Sequence, residues 1–164
     1  MLRAENVGIS IALVPLVFVV MNAVYAASAY PAGPLSDRMD RRYILAIGFV
    51  VLIAADVVLA LATGIGMVIA GVVLWGLHMG LTQGLLAAMV ADTAPAQIRG
   101  TAFGIFNMAT GLALLGGNVA AGWLWDTFGP SGTFLMGAGI TSVSLAGLVA
   151  LRGGGRSLRH EDEG

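Results

Sequence analysis

Cysteine and lysine are absent from this 164-residue chain, and charge of either sign is scarce, at 10% of residues. Without cysteine there is no disulfide framework, no thiol nucleophile and no Cys-based metal site. Soluble domains are about a quarter charged, so the scarcity of charge excludes an ordinary soluble globule. No phosphate loop is present, which leaves direct ATP coupling without support. An intramembrane enzyme would need a nucleophile beside a base, or paired acids at one depth. The apolar runs hold one histidine, His78, and one mid-span acid, Asp56. No enzyme, cofactor, metal or nucleic-acid partner is expected.

What remains is apolar. The chain is 58% hydrophobic with a mean hydropathy of +0.91, so it is expected to be an integral membrane protein in contact with lipid. Its 24 glycines suit helices that pack closely in a bilayer. A spanning helix needs about 20 mostly apolar residues, and five runs meet that length, near 9–30, 43–62, 67–91, 96–125 and 133–151. The expected fold is an all-α, five-span helical bundle. Met1–Ser10 is polar and the first apolar run is too long for a signal h-region, so no cleavable leader is read there. Ser10 is a candidate N-cap. Thr63-Gly64-Ile65-Gly66 breaks the second run from the third, Pro95 opens the fourth, and Phe128-Gly129-Pro130-Ser131-Gly132 reads as a turn before the fifth. Residues 152–164 form a short polar tail ending His160-Glu161-Asp162-Glu163, which composition makes a disordered segment.

The densest charge lies in Pro31–Arg42, where Asp37, Arg38, Asp40, Arg41 and Arg42 fall between two spans, as in a short surface loop. Arg38, Arg41 and Arg42 follow the first span, Arg99 the third, and Arg152, Arg156 and Arg159 the fifth, against Arg3 alone on the other side. Positively charged loops resist translocation. The N-terminus is therefore expected outside and the C-terminus in the cytoplasm. The bias to Ala, Gly and Arg suits a bacterial inner membrane.

Three stretches carry a family resemblance. PAGPLSDRMDRRYIL resembles the G-x-L-a-D-R-x-G-R-R motif of the major facilitator superfamily at Gly33, Leu35, Asp37, Arg38, Arg41 and Arg42; Asp40 departs, standing where the family usually has glycine. Ala91–Asn107, ADTAPAQIRGTAFGIFN, is similar to the D-x-x-P-x-x-x-R-G-x-x-x-G segment entering the family's eleventh helix. Gly116–Gly129, GGNVAAGWLWDTFG, is similar to the ending of that helix. Together they order the chain as helices eight to twelve of a twelve-helix fold, with residues 1–8 as the outer loop or the end of a preceding helix. Five spans and an abrupt opening suggest the back end of something longer.

The resemblance implies secondary active transport of a small solute by two six-helix halves that rock about a central site. An N-terminal-half chain supplying the missing helices would be a partner. Gly33, Asp37, Arg38, Arg41, Arg42, Asp92 and Arg99 are then the gating residues. Asp37 would accept N–H groups at a facing helix N-terminus, and Arg41 or Arg42 could pair with Asp92. The alternative is that these arginines only set topology. A non-transporting scaffold or subunit that pairs with another membrane chain is the competing function.

Within the third span Gly76, Gly80 and Gly84 recur every four residues, a smooth stripe for close packing. Trp75, His78, Met79 and Thr82 fall opposite it, with Gln83 beside it. This face is the expected substrate wall, and the resemblance places it on a cavity-lining helix. His78 is a candidate proton or substrate group, with an ordinary pKa of about 6.5, or an interhelical hydrogen bond. Asn22, Tyr25 and Asn107 are further cavity candidates or helix–helix contacts, and Gly100 and Gly104 a second close-packing pair. Asp56 costs about 2.5–3.5 kcal/mol at mid-membrane and is read as structural. Trp123, Trp125 and Phe128 read as an interfacial belt.

Overall fold

The computed structural model describes residues 14–161, with side chains over 14–150 except that of Asp37. The expectations for Arg3, the loop at 1–8, Ser10, the side chains of Asp37, Arg152, Arg156 and Arg159, and the acidic end of the tail lie outside the described residues.

Every regular element among the described residues is helical: α1 (Val14–Arg38), α2 (Arg41–Ala60), α3 (Ile65–Thr93), a 3-10 turn (Ala96–Ile98) and α4 (Arg99–Glu161). The protein is an all-α membrane bundle, because each of the four long runs holds a window apolar enough to cross a bilayer. The backbone hydrogen bonds of such helices close within each segment, as lipid requires.

The first difference from expectation lies at Pro31–Arg42. Pro31 and Pro34 sit inside α1, and the loop shrinks to Met39 and Asp40. Each proline removes one N–H from the helix, which takes the usual donor from the Ala27 and Tyr30 carbonyls one turn back; membrane helices tolerate such losses. Ser36 Oγ donates to the Gly33 carbonyl at 2.7 Å. Asp40 is the N-cap of α2, its carboxylate accepting from the Arg42 N–H at 2.9 Å. Its φ of −57° needs no glycine, so the departure from the family's glycine puts a cap where an L-residue fits.

The second difference is the count. The fourth and fifth expected runs form one continuous element, two helices that meet at a kink, because the turn expected at residues 128–132 shrinks to one residue. Gly129 takes φ 71°, ψ −174°, a conformation open to glycine and strained for other residues. Pro130 disfavours the α conformation at Gly129, and the missing Cβ of glycine opens the positive φ that it takes instead. Gly129 is the one non-helical residue between the two helices. The run nevertheless folds back: Arg99 lies beside the end of α3, Ser131 donates to the Ala60 carbonyl at the far end of α2, and Leu148 returns to Ile44 and Leu45. The third difference is the C-terminus, where helix continues to Glu161 past Gly153-Gly154-Gly155, with no proline in that stretch to stop it.

The helices pack in the order α1, α3, α2, then the arm of α4 after Gly129. Leu59, Ala62 and Val68 form an apolar cluster at one end of the α2–α3 pair. Ile44, Leu45 and Leu85 form the other, at the arginine-bearing end. Small and polar residues hold the layer between them.

Candidate functional site

α3 is the element that positions the site, because it packs on both sides at once. Toward α1 the stripe of small residues lets backbones touch. A Cβ on Gly76 would sit 2.6 Å from the Met21 carbonyl oxygen, and one on Gly80 would sit 2.9 Å from that of Tyr25 and collide with Ser28. Ser28 Oγ donates to the Val24 carbonyl at 2.7 Å, keeping its polar group satisfied at that crossing. Gly84, the third member of the stripe, meets nothing within 4 Å.

Toward α2 the contact is polar. His78 Nδ1 donates to the Gly48 carbonyl at 2.8 Å. A carbonyl oxygen only accepts, so Nδ1 carries the proton and, in the neutral ring, Nε2 is left as an acceptor. Thr82 is buried; its hydroxyl donates to the His78 carbonyl at 2.8 Å, and its methyl occupies the space a Cβ on Gly48 would need. Thr82 thus packs on α2, away from the face it shares with Trp75 by helical angle.

Between these two contacts a cavity of about 470 Å³ opens against α1. Trp75, His78, Met79 and Gln83 line it from α3, Val17, Phe18 and Met21 from α1, and Leu59, Leu114 and Phe134 close it from α2 and the two arms of α4. Phe134 stands edge-on to Trp75 (centroids 6.4 Å apart, planes at 85°) and to Trp125 (6.4 Å, 76°). Trp125 is thereby half-buried behind the cavity wall, while Trp123 stacks edge-on with Phe128 nearby.

The other candidates lie elsewhere. Asn22 is exposed and its amide donates to the Phe18 carbonyl one turn back, at 2.8 Å. Tyr25 meets α3 through its carbonyl oxygen at Gly80. Asn107 is exposed on the arm of α4 before Gly129. At the charged end Arg41 pairs with Asp92 across α2 and α3, whereas Arg38, Arg42 and Arg99 are exposed. A Cβ at Gly33, Gly100 or Gly104 would meet nothing within 4 Å.

Sequence reasoning missed Gly48, Gly137 and Ser131, the serine that bonds across to α2. A Cβ on Gly137 would sit 2.9 Å from an Asp56 carboxylate oxygen, so Asp56 is buried against the second arm of α4. The available signal was a lone small residue within an apolar run, which marks a close approach without saying to what. The cavity residues from α1 and Phe134 are apolar and carry no local signature at all.

The sequence matches the family model described as Major Facilitator Superfamily over residues 2–162. It is 32% identical over 133 residues to an uncharacterised MFS-type transporter of Methanocaldococcus jannaschii, covering 80% of this chain and 33% of that protein. It is 29% identical over 109 residues to the inner membrane transport protein YajR of Escherichia coli, covering 66% of this chain and 24% of that protein. A third relative, the D-xylose-proton symporter-like 1 protein of Arabidopsis thaliana, is 31% identical over 96 residues, 58% of this chain and 19% of that protein. The chain thus spans a third or less of the length of these curated relatives. No solved structure matches.

Proposed function

The chain belongs to the major facilitator superfamily, and we propose that it serves in the secondary transport of a small solute, as helices eight to twelve of that fold. The cavity beside α3 is the observation that carries this reading. It has the size of a small-molecule site, about 470 Å³, with mostly apolar walls and a few polar groups, the usual make-up of such sites. Trp75, His78, Met79 and Gln83 are its substrate-facing residues. The arginine-bearing end is assigned to the cytoplasm, on the asymmetry of positive charge, in a bacterial inner membrane.

At that end Arg41–Asp92 braces α2 to α3, while Asp37 is assigned to a partner helix N-terminus, where an anion is favoured. The first arm of α4 is exposed along almost its whole length, with only Leu124 fully buried among residues 99–128. That surface is assigned to the remaining helices of the facilitator fold, an N-terminal half. Rocking of the two halves about the site then exposes it alternately to each side. The chemistry is binding and reorientation, with no covalent step.

Membrane vesicles carrying the protein from its native gene, offered a panel of labelled sugars, amino acids and aromatic heterocycles, test the reading. Wild-type vesicles are expected to move at least one solute, and Asp37→Asn vesicles to insert the protein normally yet move none. Equal flux in wild-type and empty vesicles would contradict transport. Unchanged flux in the variant would remove the latch at Asp37.

A further inference from the structure

The cavity is selective in what it offers. No Asp, Glu, Lys or Arg is among its described lining residues. Phe18, Trp75 and Phe134 give it aromatic walls, and His78 and Gln83 are its polar side chains besides the indole N–H. Every buried side-chain polar atom among the described residues has a hydrogen-bond partner. His78 spends Nδ1 on the Gly48 carbonyl, so Nε2, which makes no bond among the described residues, is open to the cavity that the ring lines.

From this we infer that the cavity takes an uncharged, flat aromatic solute with a single N–H or O–H donor, which Nε2 of His78 accepts. The lining excludes two other classes. An anion would find no guanidinium or ammonium among the described lining residues, and burying an unpaired charge is prohibitive. A polyol would bring several hydroxyls to a wall with few partners, and each one left unpaired would weaken binding about tenfold. Aromatic rings instead pack edge-on or offset against Trp75 and Phe134. Calling this solute the substrate rests on the transporter reading; its binding does not.

Indole and 1-methylindole differ only at the donor. With purified protein in lipid nanodiscs and empty discs as the blank, tritiated indole is expected to bind saturably. 1-Methylindole should compete about three- to tenfold more weakly, the worth of one hydrogen bond, and xylose and benzoate not at all. His78→Asn keeps a donor for Gly48 and loses the acceptor at Nε2, so the two indoles should then compete equally. Val143→Ala, on the outer face of the packed arm, should bind indole as the wild type does, and saturable binding without flux would separate a failed transporter from a failed site. No saturable binding, equal competition by 1-methylindole in the wild type, or competition by xylose would overturn the assignment. Dodecanol displacing indole as well as indole itself would make the cavity a lipid-chain groove and overturn it too. Should His78→Asn fold poorly, the wild-type comparison of the two indoles decides alone.

Discussion

The two arms of α4 have much the same composition and opposite environments. Before Gly129 the helix is apolar and rich in glycine, yet Gly100, Gly104, Gly111, Gly116, Gly117 and Gly122 meet nothing within 4 Å. After it, Ser131 bonds to Ala60, Gly137 touches Asp56, and Ala138 and Thr141 are buried. Hydropathy cannot tell these arms apart, because lipid is as apolar as a leucine and gives no hydrophobic drive to associate. What distinguishes them is polar and small groups meeting complementary ones across a gap. A glycine stripe is therefore permission to pack, and the partner decides whether it is used.

Glycine substitutions should break the comparison most strongly. Gly80→Val forces a side chain against Ser28 and the Tyr25 carbonyl and is expected to destabilise by about 1–3 kcal/mol. Gly111→Val, on the open arm, should change stability by about 0.5 kcal/mol or less. Thermal unfolding in nanodiscs compares them, and equal losses would contradict the packing. Asp40→Ala comes next, since removing the carboxylate that caps α2 costs about 1 kcal/mol, read in the same assay. Gly64, the N-cap of α3, makes no side-chain cap bond, so Gly64→Ala should cost less.

Hydroxyls give a finer contrast. Ser131 reaches across to α2, whereas Thr127 bonds back to Trp123 on its own helix. Ser131→Ala should lose about 0.6 kcal/mol and Thr127→Ala nothing measurable. The smallest effect is expected of Arg41→Gln: its pair with Asp92 is partly exposed, so stability should fall by about 0.5 kcal/mol or less. If transport falls while stability does not, the brace acts on conformational exchange.

The pattern of long apolar runs made the helices legible, and the order of the three motifs made the family so. The Arg41–Asp92 contact was legible because both residues border a span on the same side. Other features were not. Pro31 and Pro34 fell in the stretch that its cluster of charge marked as a loop, and sequence does not show that the helix runs through both prolines to Arg38. Gly129-Pro130 read as a turn, and only the backbone shows that one residue suffices to reverse the chain. Helical angle put Thr82 with Trp75, His78 and Met79, but a helix packed on two sides buries part of each face, and Thr82 fell to α2. His78 was legible as a lone intramembrane imidazole. Which nitrogen stays available depends on Gly48, thirty residues away.

These 164 residues contain no cysteine, so a thiol introduced among them, with the unsubstituted protein treated alike as the blank, gives the most direct test of the cavity as the transport site. Met79→Cys places the thiol in the cavity wall, and Val143→Cys places it on the outer face of the packed arm, where Val143 is 74% exposed. Solute flux is measured in vesicles before and after complete reaction with N-ethylmaleimide. Loss of flux in Met79→Cys with flux retained in Val143→Cys is the predicted result. Full flux through an alkylated Met79→Cys protein would mean that the solute passes elsewhere.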